Sequence, residues 1–110
     1  MAKFVLFKAR HTAPEIDGLP SIFGDSLADP TDVVGMNHIV AGVIDALPGH
    51  KALDVYVTGL TVATAAVIRM CYIRAIPLTL WHFDRESGQY YQQVIITEQD
   101  AAFQRELGWF

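Results

Sequence analysis

The stretch from Leu53 to Asp84 constrains the fold more than any other, because it reads as a strand, a tight turn, a helix and a second strand in succession. Leu53-Asp54-Val55-Tyr56-Val57 is β-branched and aromatic enough for a buried strand. Thr58-Gly59-Leu60-Thr61 turns into a helix, and Val62 to Ala75 is almost free of polar residues. Ile76-Pro77 stops that helix, since the residue before a proline is pushed out of the helical region, and Leu78-Thr79-Leu80-Trp81 starts the next strand. A strand, crossover helix and second strand of this length form a βαβ unit, whose handedness brings both strand C-terminal ends to one rim of the sheet. Open α/β sheets bind their ligands at that rim.

The rest of the chain extends the unit on both sides. Lys3 to Lys8 reads as a central strand, because Phe4-Val5-Leu6-Phe7 is a continuous apolar run suited to a sheet covered on both faces. Its end delivers Lys8, Ala9, Arg10, His11 and Thr12 into a loop, and the proline- and acid-rich Ala13 to Pro30 segment is expected to be irregular and exposed. Asp29-Pro30-Thr31-Asp32 supplies a helix start. Val33, Met36, Val40, Val43, Ile44 and Leu47 then form one apolar stripe, ended by Pro48-Gly49. Asp84 to Gln89 is a polar turn into a strand from Tyr90 to Ile96, which makes a hairpin and an antiparallel edge. Thr97-Glu98-Gln99-Asp100 caps a last helix that runs through Leu107 to Gly108, and Trp109 and Phe110 are expected to dock on the body or on a second subunit. The order β-α-β-α-β-β-α predicts an α/β fold: one domain over residues 1–110, a three-layer Rossmann-like sandwich with a mainly parallel sheet and an antiparallel edge hairpin.

Composition narrows the function classes. In 110 residues, 52% are hydrophobic and only 18% charged, a surplus that predicts a subunit interface. No run approaches the roughly 20 apolar residues of a membrane span, and Arg69 and Arg74 interrupt the most apolar helix. Without a signal-peptide pattern, the chain reads as cytoplasmic with no membrane partner. A net charge of −4 argues against a broad duplex nucleic-acid binder, which needs a basic face. The charge is uneven, however: Lys3, Lys8 and Arg10 precede the acidic run Glu15, Asp17, Asp25, Asp29 and Asp32, so a small anionic ligand at one basic rim fits. Cys71, the single cysteine, reads as a small buried hydrophobe.

Three polar sets are expected at that rim: Lys8, Arg10, His11 and Thr12; Thr58, Gly59, Leu60 and Thr61; His82, Asp84 and Arg85. Glycine permits close backbone approach, and free N–H groups at a helix start favour an anion; with basic side chains and hydroxyls, the set suits phosphate. Blander roles stand beside these. Thr61 serves equally as a helix cap, Asp84 as a partner for His82 or Arg85, and Tyr90 and Tyr91 as hairpin packing. No G-x-G-x-x-G, P-loop, zinc spacing or G-x-S-x-G elbow is present, so the expectation is metal-free chemistry with no cofactor.

Thr58-Gly59-Leu60-Thr61, followed by Ala63, Ala65, Ala66 and Ile68, resembles the Thr-Gly-Gly-Thr-Lys turn of CARF-type domains and of the small CRISPR-associated ring nucleases, with Leu60 and Val62 in place of the second glycine and the lysine. The resemblance implies a homodimer that binds a cyclic oligoadenylate, most simply cyclic tetra-adenylate, across its twofold axis, with the apolar helix Val62 to Ile73 as interface. It further implies cleavage by in-line attack of the ribose 2′-hydroxyl, which would switch off CRISPR antiviral signalling. Arg10 and the helix start at Thr61 would hold the phosphate, and His11 or His82 would act as general acid or base. A noncatalytic sensor or sponge for a nucleotide signal, and a protein-interaction module, are the alternatives.

Overall fold

The computed structural model describes residues 2–8, 13–49 and 51–108. Its elements run β1 (Ala2–Val5), α1 (Val33–Asp45), β2 (Leu53–Tyr56), α2 (Thr61–Ile73), β3 (Leu78–Asp84), β4 (Gln89–Ile96) and α3 (Glu98–Leu107). The strands form one sheet in the order β1-β2-β3-β4, parallel through β3 and antiparallel between β3 and β4. Val5, Tyr56, Trp81 and Gln92 stand in one cross-strand row.

Local chemistry accounts for the helix ends. The Asp32 carboxylate accepts from the Gly35 N–H at 2.9 Å and starts α1. Thr97 and Asp100 form a reciprocal capping box at the start of α3, and Gly108 closes that helix in the left-handed region at φ 68°. The end of α2 is less ordinary. Ile76 N–H bonds to Cys71 C=O and Ala75 N–H to Tyr72 C=O, a Schellman closure that holds Ala75 at φ 54° and stops the helix two residues short of the expected Ala75.

The main core lies on one face of the sheet. Met36, Val40 and Ile44 of α1 and Ala63, Ala66, Val67 and Cys71 of α2 cover Leu53, Val55, Leu78 and Leu80, while Ile96 and Ala101 extend the same core to α3. With strands in sequential order, right-handed crossovers place both helices on the same side, and α1 and α2 pack side by side. The three-layer expectation is corrected accordingly: among the described residues no helix covers the opposite face. The segment from Ala13 to Leu19 lies there instead, with Ala13 and Ile16 buried against Val5 and Tyr56 beside Trp81 and Tyr90. The expected exposed loop is thus irregular but partly core, since Ile22 and Phe23 are buried as well.

Two further expectations change. β1 is an edge strand of the sheet, opposite the β4 edge, not a central one, and it ends at Val5 rather than Lys8. Its apolar run is nevertheless covered, because Pro20–Gly24 runs beside it: Val5 N–H bonds to Pro20 C=O at 2.9 Å, Ile22 N–H to Val5 C=O at 2.9 Å and Lys8 N–H to Gly24 C=O at 2.8 Å. The face of α2 that carries Ala63, Ala66, Val67 and Cys71 is used inside the protomer against α1 and the sheet, while Tyr72 and Ile73 at the end of the helix stay exposed. Trp109 and Phe110 lie outside the described residues. No helix among the described residues is long and apolar enough to cross a membrane.

Candidate functional site at the C-terminal rim

The parallel strands end at one rim, where the chain leaving β2 passes through Val57, Thr58, Gly59 and Leu60 into α2. A hollow of about 510 Å³ opens over this turn, lined by Phe7, Lys8, Asp25, Ser26, Leu27, Pro30, Val57, Thr58, Gly59, Leu60, Phe83 and Tyr90. Its size falls in the range of small-molecule sites. Of the expected residues, Lys8, Thr58, Gly59 and Leu60 come together here.

Each has a definite local role. Thr58 Oγ1 accepts from the Phe7 N–H at 3.0 Å and donates to the Phe7 C=O at 2.6 Å, so one side chain continues the β1–β2 pairing where the backbone ladder ends. A hydroxyl has a single proton, and this one is given to Phe7; the expected hydroxyl donation to a ligand is therefore corrected to a strand-tying role. Gly59 sits at φ 142°, and a Cβ there would stand 2.5 Å from Phe7 Cδ2. The glycine admits the Phe7 ring, which stacks on Phe23 at 5.4 Å and forms the floor of the hollow. Leu60 is the N-cap of α2 and has no side chain that caps it. Thr61 is the first helical residue rather than the cap and does not line the hollow. The first N–H groups of α2 thus lack a side-chain cap beside the turn.

Lys8 Nζ stands 3.9 Å from Asp25 Oδ1, and both side chains are largely exposed, a pair too solvated and too long to immobilise the ammonium. Phe83 and Tyr90 close the far wall edge to face at 5.2 Å, and Tyr90 also meets the Tyr56 ring at 5.1 Å. Burial, with a smaller contribution from the Glu15 carboxylate, pushes the Tyr90 hydroxyl above its usual value and keeps it neutral.

The third set separates from the first two. His82 and Arg85 line an adjoining hollow of about 630 Å³ together with Val57, Phe83 and Tyr91. The His82 Nε2 is 2.8 Å from Gln93 Oε1, and its ring tilts against Tyr91 at 5.5 Å. Asp84 orders neither His82 nor Arg85. Its carboxylate bonds to the Ser87 side chain and to the Glu86 N–H, which hold it below the ordinary carboxylate value and shape the hairpin turn. Arg10, His11 and Thr12 lie outside the described residues. Among the described residues no group of three or more His, Cys, Asp or Glu side chains stands where it could hold a metal ion.

Sequence reasoning missed Phe7, Leu27, Phe83 and Tyr90 as walls of the hollow. Alternation along the hairpin carried part of the signal, since Phe83 and Tyr90 are register partners and share one face. Leu27 and Pro30 carried none, because their position depends on how the irregular segment returns to the rim. Compared with family models, curated proteins and solved structures, the chain matches none of them.

Proposed function

We propose that this chain binds a nucleotide-type ligand in the hollow over Thr58–Leu60. One observation carries the reading: aromatic walls from Phe7, Phe83 and Tyr90 meet the Lys8 ammonium and the uncapped start of α2 in a single space of about 510 Å³. A base is a flat apolar body with an anionic neighbour, and this lining offers a surface for each. The finer version follows the resemblance of Thr58-Gly59-Leu60-Thr61: a Rossmann-like relative of the CARF domains whose ligand is a cyclic oligoadenylate, bound across a homodimer in the cytoplasm. Exposed Leu60 and Phe83 at the hollow, with Val33 and Val34 at the start of α1, support a rim that a second copy covers.

Cleavage would require the ribose 2′-hydroxyl to attack the adjacent phosphorus, a base to take its proton, and an acid to protonate the departing 5′-oxygen. That leaves a 2′,3′-cyclic phosphate and one linear strand. His82 is the described residue suited to proton transfer, with Arg10 and His11 as the other candidates. A sensor without turnover is the second reading; the hydrogen bond between His82 Nε2 and Gln93 Oε1 leaves Nδ1 as the ring nitrogen for any proton exchange with a ligand.

Incubating the protein with cyclic tetra-adenylate in EDTA tests both. Binding that Lys8→Ala weakens, with linear product lost in His82→Ala or His11→Ala, is the expected result. Recovery of intact ligand with binding retained selects the sensor. Absence of binding to cyclic tetra-adenylate and to AMP alike would remove the nucleotide reading.

A further inference from the structure

The sheet has two edges, and the chain treats them differently. Beside β1 the segment Pro20–Gly24 takes up the outward backbone groups, through the bonds of Val5 with Pro20 and Ile22 and of Lys8 with Gly24. Beside β4 nothing does so: among the described residues no backbone–backbone bond joins this strand to any segment except β3. Tyr91, Gln92, Gln93 and Val94 are exposed in succession, so neither face of the sheet is covered along this stretch.

Edge strands in natural proteins ordinarily carry lysine, proline or a bulge that stops a further strand from pairing. Gln89–Ile96 contains no charged residue and no proline, and its one shift in register lies at the Leu78/Thr79 end, which leaves Gln89 to Val94 regular. A row of outward N–H and C=O groups at sheet spacing is matched along its length only by another extended backbone.

Closure identifies whose backbone that is. A second copy of this chain can offer only its own β4, because its β1 edge is already covered, so the contact is isologous and ends at two copies. The strand is neutral, and two of them meet without repulsion along its length. Antiparallel pairing about Gln92 sets Val94 of each copy, 52% exposed in the single chain, against Tyr90 of the other, an aromatic and β-branched pair on the face away from the helices. On the helix-bearing face it sets Tyr91, 56% exposed, opposite the second copy's Gln93.

The geometry points to a dimer built through β4, a single sheet with four strands from each copy and Gln92 at its twofold axis. Antiparallel pairing turns the two C-terminal rims to opposite ends. The contact is therefore separate from any pairing of rims, and it stands whether or not the hollow over Gly59 takes a nucleotide. It also brings a residue of the second copy beside the hollow of His82 and Tyr91.

Sedimentation velocity of the whole chain at micromolar concentration, with no ligand present, tests this. The wild type should run at twice the chain mass. Gln92→Lys sets like charges face to face at the axis, and Val94→Lys puts a charge against an aromatic ring; both should run as monomers with the wild-type circular dichroism spectrum. Leu60→Lys, at the exposed rim, should remain dimeric. Gln92→Cys should cross-link under mild oxidation, because directly opposed Cβ atoms stand about 4.5–5.5 Å apart, whereas Tyr72→Cys on the exposed side of α2 should not. A monomeric wild type overturns the β4 dimer, as does a dimer that survives both lysine variants in β4. A dimer that Leu60→Lys dissolves assigns the interface to the rim and overturns it equally. Failure of Gln92→Cys to cross-link overturns the pairing about Gln92. None of these results bears on the nucleotide reading, which the titration with cyclic tetra-adenylate and AMP decides by itself.

Discussion

Thr58→Val preserves the shape and β-branching of the side chain and removes only the hydroxyl, which makes it a clean probe of the rim. In the wild type that hydroxyl accepts from Phe7 N–H at 3.0 Å and donates to Phe7 C=O at 2.6 Å. An intramolecular hydrogen bond contributes about 1 kcal/mol net, and an abandoned buried donor or acceptor costs about 1–3 kcal/mol. Both backbone groups of Phe7 lose their partner at once, but the site is only partly buried, so water satisfies them in part. The expected loss is therefore about 2 kcal/mol. In a domain of this size that lowers Tm by roughly 8–16 °C. Thr58→Ser retains the hydroxyl and loses one methyl, and should cost less than about 1 kcal/mol. Urea titration and thermal melts of the three proteins read the difference directly. Wild-type stability in Thr58→Val, or equal losses in the Val and Ser variants, would refute the tie between β1 and β2. Because Phe7 forms the floor of the hollow, Thr58→Val should also weaken ligand binding, although it removes no group that touches the ligand.

Gly59→Ala meets two obstacles, a backbone at φ 142° and a Cβ only 2.5 Å from Phe7 Cδ2; stability should fall by about 1–3 kcal/mol in denaturant titration, and an unchanged midpoint would show that neither obstacle matters. Asp84 and Asp100 are both held below the ordinary value of 3.8 by hydrogen bonds, to the Ser87 side chain first for Asp84 and to the Thr97 backbone first for Asp100. A depressed folded-state value stabilises the protein above pH 3.8 and is lost as pH falls below it, so urea midpoints should drop between pH 5 and pH 3, and less so in the Asp84→Asn/Asp100→Asn double variant. Burial pushes the Cys71 thiol up to about 12. It should resist a thiol reagent at pH 8 until denaturant is added, and rapid labelling of the native chain would contradict its place between α2 and the sheet.

What the sequence determined by itself was whatever a few neighbouring residues decide. Thr97 and Asp100 form their reciprocal cap three residues apart, Asp32 starts α1 on Gly35, and the stripe Met36, Val40, Ile44 faces the core, because helix geometry brings such spacings together in any setting. The strand, turn, helix and strand from Leu53 onward were legible for the same reason, as was the rim that such a unit creates. The tertiary structure decided the rest. Whether the Phe4–Phe7 run lies at the centre or the edge of a sheet depends on where Pro20–Gly24 returns, and one-sided placement of the helices depends on strand order. By sequence Thr58 looks like a ligand donor because its partner, Phe7, is 51 residues away and no local pattern announces it. The division of the rim into two hollows has the same origin. Phe83 separates Lys8 from His82 only once β1, β2 and the hairpin are assembled in one sheet, and a contact made between distant segments has no period for a sequence to display.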